Sequence, residues 1–340
     1  MDDSLRGETS KLERSWMQHE AAKLRDYLVA GVEDPRINLQ SIFSRHFILR
    51  ALLEDRFAWL MEQECRFSAV MNWLLQFTKT VGDPEWIDVV LHAIDRNSDN
   101  AEGIEIPHFV LETKRELPAQ AAGLTVEDYI TGFLRDFREQ PSVPTPQRAA
   151  LNTFTNLWNE ALVLASPTKR LSLIEPACGS ANDYRFLEAF GIARHLDYAG
   201  FDLCPTNVSN ARALFPRTRF EVGNAFELQV PARGFDLCMV HDLFEHLSPA
   251  GLEAALRELC RVARLGLCVG FFNMDEAAGH VFTPVDEYHW NTLSMERMKE
   301  AFAREGFAVR VLHVATFLRQ RFGCEHTHNP NAYTFLCWRQ

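Results

Sequence analysis

The sequence predicts an α/β protein: a seven-stranded, mostly parallel sheet preceded by an all-helical region. Three observations carry that expectation. Up to about residue 140, apolar residues recur three and four apart, the helical period. A proline-rich stretch, Pro141-Ser142-Val143-Pro144-Thr145-Pro146, then interrupts the pattern. From Leu171 onward, short apolar runs alternate with amphipathic helices, the signature of βαβ units. The 340 residues suit two domains. The expected division is a helical domain over residues 1–140 and an α/β domain over residues 145–340.

In chain order, the helical period predicts helices at Lys11–Val29, Leu39–Glu54, Arg56–Thr78 and Val126–Arg138. Phe57, Leu60, Met61, Phe67, Val70, Met71, Leu74 and Leu75 form an apolar stripe, read as core. Arg45-His46 and Glu54-Asp55-Arg56 are read as solvated faces. Prolines at 141, 144 and 146 cannot continue a helix, so that stretch reads as a linker. Thr145 and Pro146 then start a helix running to about Leu164. Strands follow at Leu171–Ile174, Tyr198–Phe201, Arg219–Val222, Phe235–Val240, Leu267–Phe271, Ala308–Ala315 and Ala332–Trp338. Helices fit at Asp183–Phe190, Thr206–Leu214, Pro249–Ala263 and Ser294–Glu305. The last two strands have a short polar connection between them, with no room for a crossover helix, and are expected to pair antiparallel.

Composition narrows the function. Hydrophobic residues make up 47% and charged residues 24%, as in an ordinary globular protein. The net charge is −11, with no run of Lys and Arg, which counts against a grip on a nucleic-acid backbone. No apolar stretch is long enough for a membrane span, and the polar start lacks a signal peptide's core. The eight cysteines show no C-x-x-C pair. Reduced thiols in a cytoplasmic protein are expected.

The chemistry-bearing residues sit where successive strands end. The first strand runs into Glu175-Pro176-Ala177-Cys178-Gly179-Ser180-Ala181-Asn182-Asp183. Small residues there permit a tight turn and close approach of a ligand. A dinucleotide turn would read G-x-G-x-x-G, but this one holds a single glycine. The second strand ends in Gly200-Phe201-Asp202-Leu203, with an acid placed to accept both ribose hydroxyls. The third ends in Gly223-Asn224-Ala225-Phe226, a polar group beside an apolar one, which suits the edge and face of adenine. The fourth ends in His241-Asp242. An open α/β sheet binds its ligand at these carboxyl ends.

In order and spacing, these four loops resemble the class I, Rossmann-like S-adenosylmethionine-dependent methyltransferases over roughly residues 145–340. The resemblance implies that S-adenosylmethionine is the cofactor. It assigns the methionine part to Glu175, Ala177, Cys178 and Gly179, and the ribose to Asp202 with Leu203 beside it. It assigns adenine to Asn224 and Ala225 with Phe226, and places His241 at the edge of the same site. The sequence departs from the family at Ala177, usually glycine, and at Asn224, often Asp. The added helical domain is expected to cap an acceptor pocket or form a homodimer, by analogy alone.

Methyl transfer needs an aligned acceptor and, where the acceptor carries a proton, a base. His246, His241 and His289 are the candidates. If a helical turn starts at Asp242, then Asp242, Glu245 and His246 share one face. Two readings stand. One is a divalent metal site of mixed oxygen and nitrogen ligands, suited to Mg²⁺, Mn²⁺ or Fe²⁺; an acid-x-x-Glu-His element resembles that of magnesium-dependent ubiquinone-pathway and small-RNA O-methyltransferases. The other is metal-free. Tyr288, His289 and Trp290 are candidates to line an aromatic acceptor pocket, and Cys324-Glu325-His326-Thr327-His328 is a weaker metal tract. The expected activity is methylation of a small molecule at oxygen, in specialised or cofactor metabolism. The rivals are an RNA 2′-O-methyltransferase, a non-catalytic binding protein of the same fold and, more distantly, a nicotinamide dehydrogenase.

Overall fold

The computed structural model describes residues 2–25, 38–81, 89–116 apart from 91 and 95, 158, 162–163, and 170–340 apart from 328. Seven strands form one sheet: β1 (Leu171–Pro176), β2 (Leu196–Asp202), β3 (Arg219–Val222), β4 (Phe235–His241), β5 (Ala263–Phe271), β6 (Phe307–His313) and β7 (Tyr333–Arg339). Their order is β6-β7-β5-β4-β1-β2-β3. β7 pairs antiparallel with both neighbours, and the other pairings are parallel. β1 and β4 are buried on both faces, which is why they read as unbroken apolar runs. The strand order reverses between β1 and β4. That reversal opens a crevice at their carboxyl ends, the usual ligand position in such sheets.

The front of the chain holds α1 (Asp3–Met17), α2 (Ala21–Arg25), α3 (Leu39–Leu53), α4 (Ala58–Val81) and α5 (His108–Glu116). In the sheet region, α6 (Tyr184–Ala189) follows β1 and α7 (Pro205–Leu214) follows β2. Next come α8 (Pro249–Val262) after β4, α9 (Met295–Arg304) after β5 and α10 (Val314–Phe322) after β6. The caps follow the residues: Ser248 and Ser294 accept from the N–H three residues on, at the starts of α8 and α9.

Several expectations change. The helix expected over Lys11–Val29 is two within the described residues, broken at Gln18-His19-Glu20, because α1 docks on the loop after β4 and α2 on helix α7. The link between β6 and β7 does contain a helix, α10. Its Val314, Leu318 and Phe322 form an apolar stripe that was partly read as strand. The strands still pair antiparallel. Of the apolar stripe, Leu60, Phe67, Val70 and Met71 are core. Glu54, Asp55 and Arg56 are exposed as expected, but Arg45 and His46 are not. Both are buried against Glu64 of α4, which bonds Arg45 Nη2 at 2.9 Å and His46 Nε2. The Val126–Arg138 helix and the Pro141–Pro146 linker lie outside the described residues. The helix expected to reach Leu164 is described only at Trp158, Leu162 and Val163, all helical.

α3 is an internal helix, with every residue from Ile42 to Leu49 buried. Phe47 packs on Trp338 of β7 at a 4.5 Å ring separation. The Gln40 side-chain amide donates to the carbonyls of Phe271 and Tyr333, at 3.1 and 2.9 Å. A helix from the front of the chain thus forms part of the sheet's own core. All eight cysteines are buried and unpaired. No described helix is long and apolar enough to cross a membrane.

Candidate active site

The turn after β1 is shaped by backbone sign. Ala177, Gly179 and Ala181 all have positive φ, at 61°, 54° and 68°. Glycine tolerates that region freely, whereas alanine there costs about 1–2 kcal/mol. Cys178 N–H donates to the carbonyl of Phe201, tying the turn to β2. Asp202 completes the tie. Its Oδ2 accepts from Gly179 N–H at 2.8 Å, and its Oδ1 accepts from Cys204 N–H at 2.8 Å and from Asn207 Nδ2 at 3.1 Å. A carboxylate offers about four acceptor positions. With three taken, Asp202 has room for roughly one more donor, so it serves first as a brace between the two loops.

The other cofactor candidates lie around this brace. Glu175 is buried and shares a hydrogen bond with Tyr198 Oη. Burial pushes its carboxyl well above the usual range, and Asp183 pushes it the same way. Ala177 is exposed at the tip of the turn, Leu203 is half-buried and Phe226 is buried. Asn224 is drawn inward: its Oδ1 accepts from Phe226 N–H and its Nδ2 donates to Thr9 Oγ1 of α1, each at 2.9 Å. α1 lies across the mouth of the sheet. Its Glu8 accepts from Ser248 N–H after β4 at 2.7 Å, and its Arg14 pairs with Glu287 beyond β5 at 3.1 Å.

The three candidate histidines are sorted by their partners. His241, at the end of β4, bonds Asp183 Oδ2 through Nδ1 at 2.6 Å and Ser44 Oγ through Nε2 at 2.9 Å. Burial opposes its charge, but the Asp183 carboxylate outweighs that and holds the imidazole well above its ordinary value. His246 Nδ1 donates to the carbonyl of His289 at 3.2 Å, which leaves Nε2 as the basic nitrogen. Burial lowers His246, so its ring is neutral at neutral pH. His289 contributes that carbonyl and stands in a short β-ladder with Pro284. The rings of Phe272, Tyr288 and Trp290 surround His246 at 5.4, 5.8 and 5.5 Å. Trp290 is 49% exposed.

The metal arrangement expected at Asp242, Glu245 and His246 does not form. Asp242 has φ 54°, so no right-handed turn begins there, and the following 3-10 turn spans only Phe244–His246. Glu245 is fully buried, and its Oε1 accepts the N–H groups of Phe272 and Asn273 at 2.8 and 3.3 Å. Burial and then the Asp242 carboxylate push it up to about 8. Glu245 therefore brackets the loop that carries Phe272. In the weaker tract, Cys324 is buried with its thiol against the carbonyls of Ala69 and His326, and His328 lies outside the described residues. Among the described residues, no group of three His, Cys, Asp or Glu is placed to hold a metal ion.

Sequence reasoning missed Ser44, Asp183 as a partner of His241, and Thr9. Asp183 closed the quoted turn without a role. Ser44 and Thr9 carry no local signal, because their partners lie 197 and 215 residues away.

Residues 174–266, from β1 into β5, match a family model described as a methyltransferase domain. No curated protein matches the chain. Among solved structures, a Pyrococcus horikoshii protein is 16% identical, covering 61% of this chain and 99% of its own, at a TM-score of 0.39. An S-adenosylmethionine-dependent methyltransferase of Mesorhizobium loti is 15% identical, covering 54% and 97%, at 0.39. The Burkholderia thailandensis 1,6-didemethyltoxoflavin-N1-methyltransferase is 14% identical, covering 70% and 93%, at 0.38.

Proposed function

We propose that this chain, whose residues 174–266 match a methyltransferase domain, uses S-adenosylmethionine to transfer a methyl group to an oxygen of a small, planar acceptor. The observation that carries this reading is the aromatic wall of Phe272, Tyr288 and Trp290 around a neutral His246. A flat ring stacks well on such a wall, and the exposed Trp290 offers it a free face. S-adenosylmethionine, when bound, supplies an electrophilic methyl on a sulfonium sulfur. The turn from Glu175 to Ser180, Asp202 and the loop at Asn224 to Phe226 hold it at the β1–β4 crevice. The turn fits, because its left-handed positions, Ala177, Gly179 and Ala181, carry nothing larger than a methyl group, which permits close backbone approach. His246 Nε2 removes the acceptor's proton as the new bond forms. Glu245 holds the loop bearing Phe272 in register with that nitrogen. No metal takes part in this scheme. Eight unpaired thiols suit a reducing, cytoplasmic setting.

The test is S-adenosylhomocysteine release with a panel of small phenols, alongside calorimetry of S-adenosylhomocysteine binding. His246→Gln should lower kcat by about 100-fold or more at neutral pH and leave cofactor affinity unchanged. Unaltered turnover in that variant removes His246 as base. Methylation of RNA but of no phenol overturns the acceptor class.

A further inference from the structure

His241 is held from three directions. Asp183, at the end of the turn after β1, takes Nδ1 at 2.6 Å, and Ser44 of α3 meets Nε2 at 2.9 Å. Gly270 of β5 clears the space beside the ring: a Cβ there would stand 2.1 Å from His241 Cδ2. Ser44 is itself fixed. Its hydroxyl lies 2.8 Å from the carbonyl of Gln40 and 3.4 Å from Cys268 Sγ, and Gln40 is anchored on β5 and β7. The titratable groups that face or act on the ring are Asp183 and Glu175 from the β1 side and Cys268 from β5. Ser44 lies far outside the segment that matches the methyltransferase domain.

We infer that Ser44 is a positioning residue of the transferase site: with Asp183 it clamps His241 across the β1–β4 crevice and so fixes the turn that receives the cofactor. The inference rests on the cofactor reading above for its effect on binding, but not for the clamp itself. Both ring nitrogens are engaged, so His241 is a strut. Through Asp183 the strut reaches the far end of the Glu175–Asp183 turn, and through Ser44 it couples that turn to the helical front of the chain. Loss of one such hydrogen bond loosens the turn rather than removing a ligand contact.

The experiment uses the full chain with ¹⁵N-labelled histidine. Ser44→Ala should shift the His241 Nε2 resonance and weaken S-adenosylhomocysteine binding about fivefold, the effect of one lost hydrogen bond. Ser44→Thr, which keeps the hydroxyl, should restore both. If Ser44→Ala does not fold, Gly270→Ala displaces the ring without touching either partner and should give the same two changes. Unchanged ring resonances and unchanged affinity in the soluble variant overturn the proposal. A wild-type chain that binds no S-adenosylhomocysteine sinks the cofactor reading, and the ring resonances then still decide the clamp.

Discussion

Asp202→Ala tests the brace between the first two loops. The wild-type carboxylate accepts from Gly179 N–H, Cys204 N–H and Asn207 Nδ2. Alanine strips all three and leaves two buried backbone N–H groups without a partner. Each such orphan costs about 1–3 kcal/mol, and a bond to a charged acceptor is worth about 1.5–3 kcal/mol. These overlap, so about 3–5 kcal/mol is expected in total. For a domain of this size that corresponds to a melting point about 10 °C lower. Asp202→Asn keeps one oxygen but sets an amide NH₂ against a donor, and should lose about half as much. Urea unfolding measures the stability, and calorimetry with S-adenosylhomocysteine measures the site. The expected result is a loss of both together, graded from Asn to Ala. An Ala variant as stable as wild type to within about 1 kcal/mol would refute the brace, whatever its affinity for the cofactor.

Two further outcomes follow from buried charge. Glu64→Gln leaves Arg45 buried without its counter-charge and should cost about 3–5 kcal/mol by urea unfolding; a loss below about 1 kcal/mol would mean the pair is solvated in solution. Glu175 is raised by burial, so the folded chain keeps that proton to higher pH than the unfolded one. Its contribution is therefore fully present below the unfolded pKa and is lost as pH rises through the folded one. Glu175→Gln mimics the protonated acid and should remove that loss, making the variant more stable than wild type above the folded value; parallel stability–pH curves for the two proteins would contradict this.

Much of the sheet was legible because its signals are local. Arg219–Val222 is found as read, and the other strands differ by a few residues at their ends. Between β1 and β5, β1 and β4 bury both faces while α8 buries one, and both patterns are written in consecutive residues. The four loops bearing Glu175, Asp202, Asn224 and His241 could be placed for the same reason, since parallel strands put their carboxyl ends on one edge. The α10 helix was lost where its Val314 and Ala315 looked like the end of a strand.

What each of those loop residues does was decided elsewhere. Asp242 does not share a helical face with Glu245 and His246, because its left-handed backbone breaks the helical spacing, although its carboxylate still acts on Glu245. Arg45 and His46 read as surface because a helix sequence cannot show that Glu64 waits on the next helix. His241 was one of three equal candidates for a base until Asp183 and Ser44 arrived from positions 58 and 197 residues away. The sequence by itself pointed to the α/β architecture and to the sheet edge where the candidate residues gather. Only the tertiary structure decided which side chains are free to react. Periodicity and turn chemistry act over a few residues, whereas a hydrogen-bond partner is set by whichever distant segment the core packing brings within 3 Å.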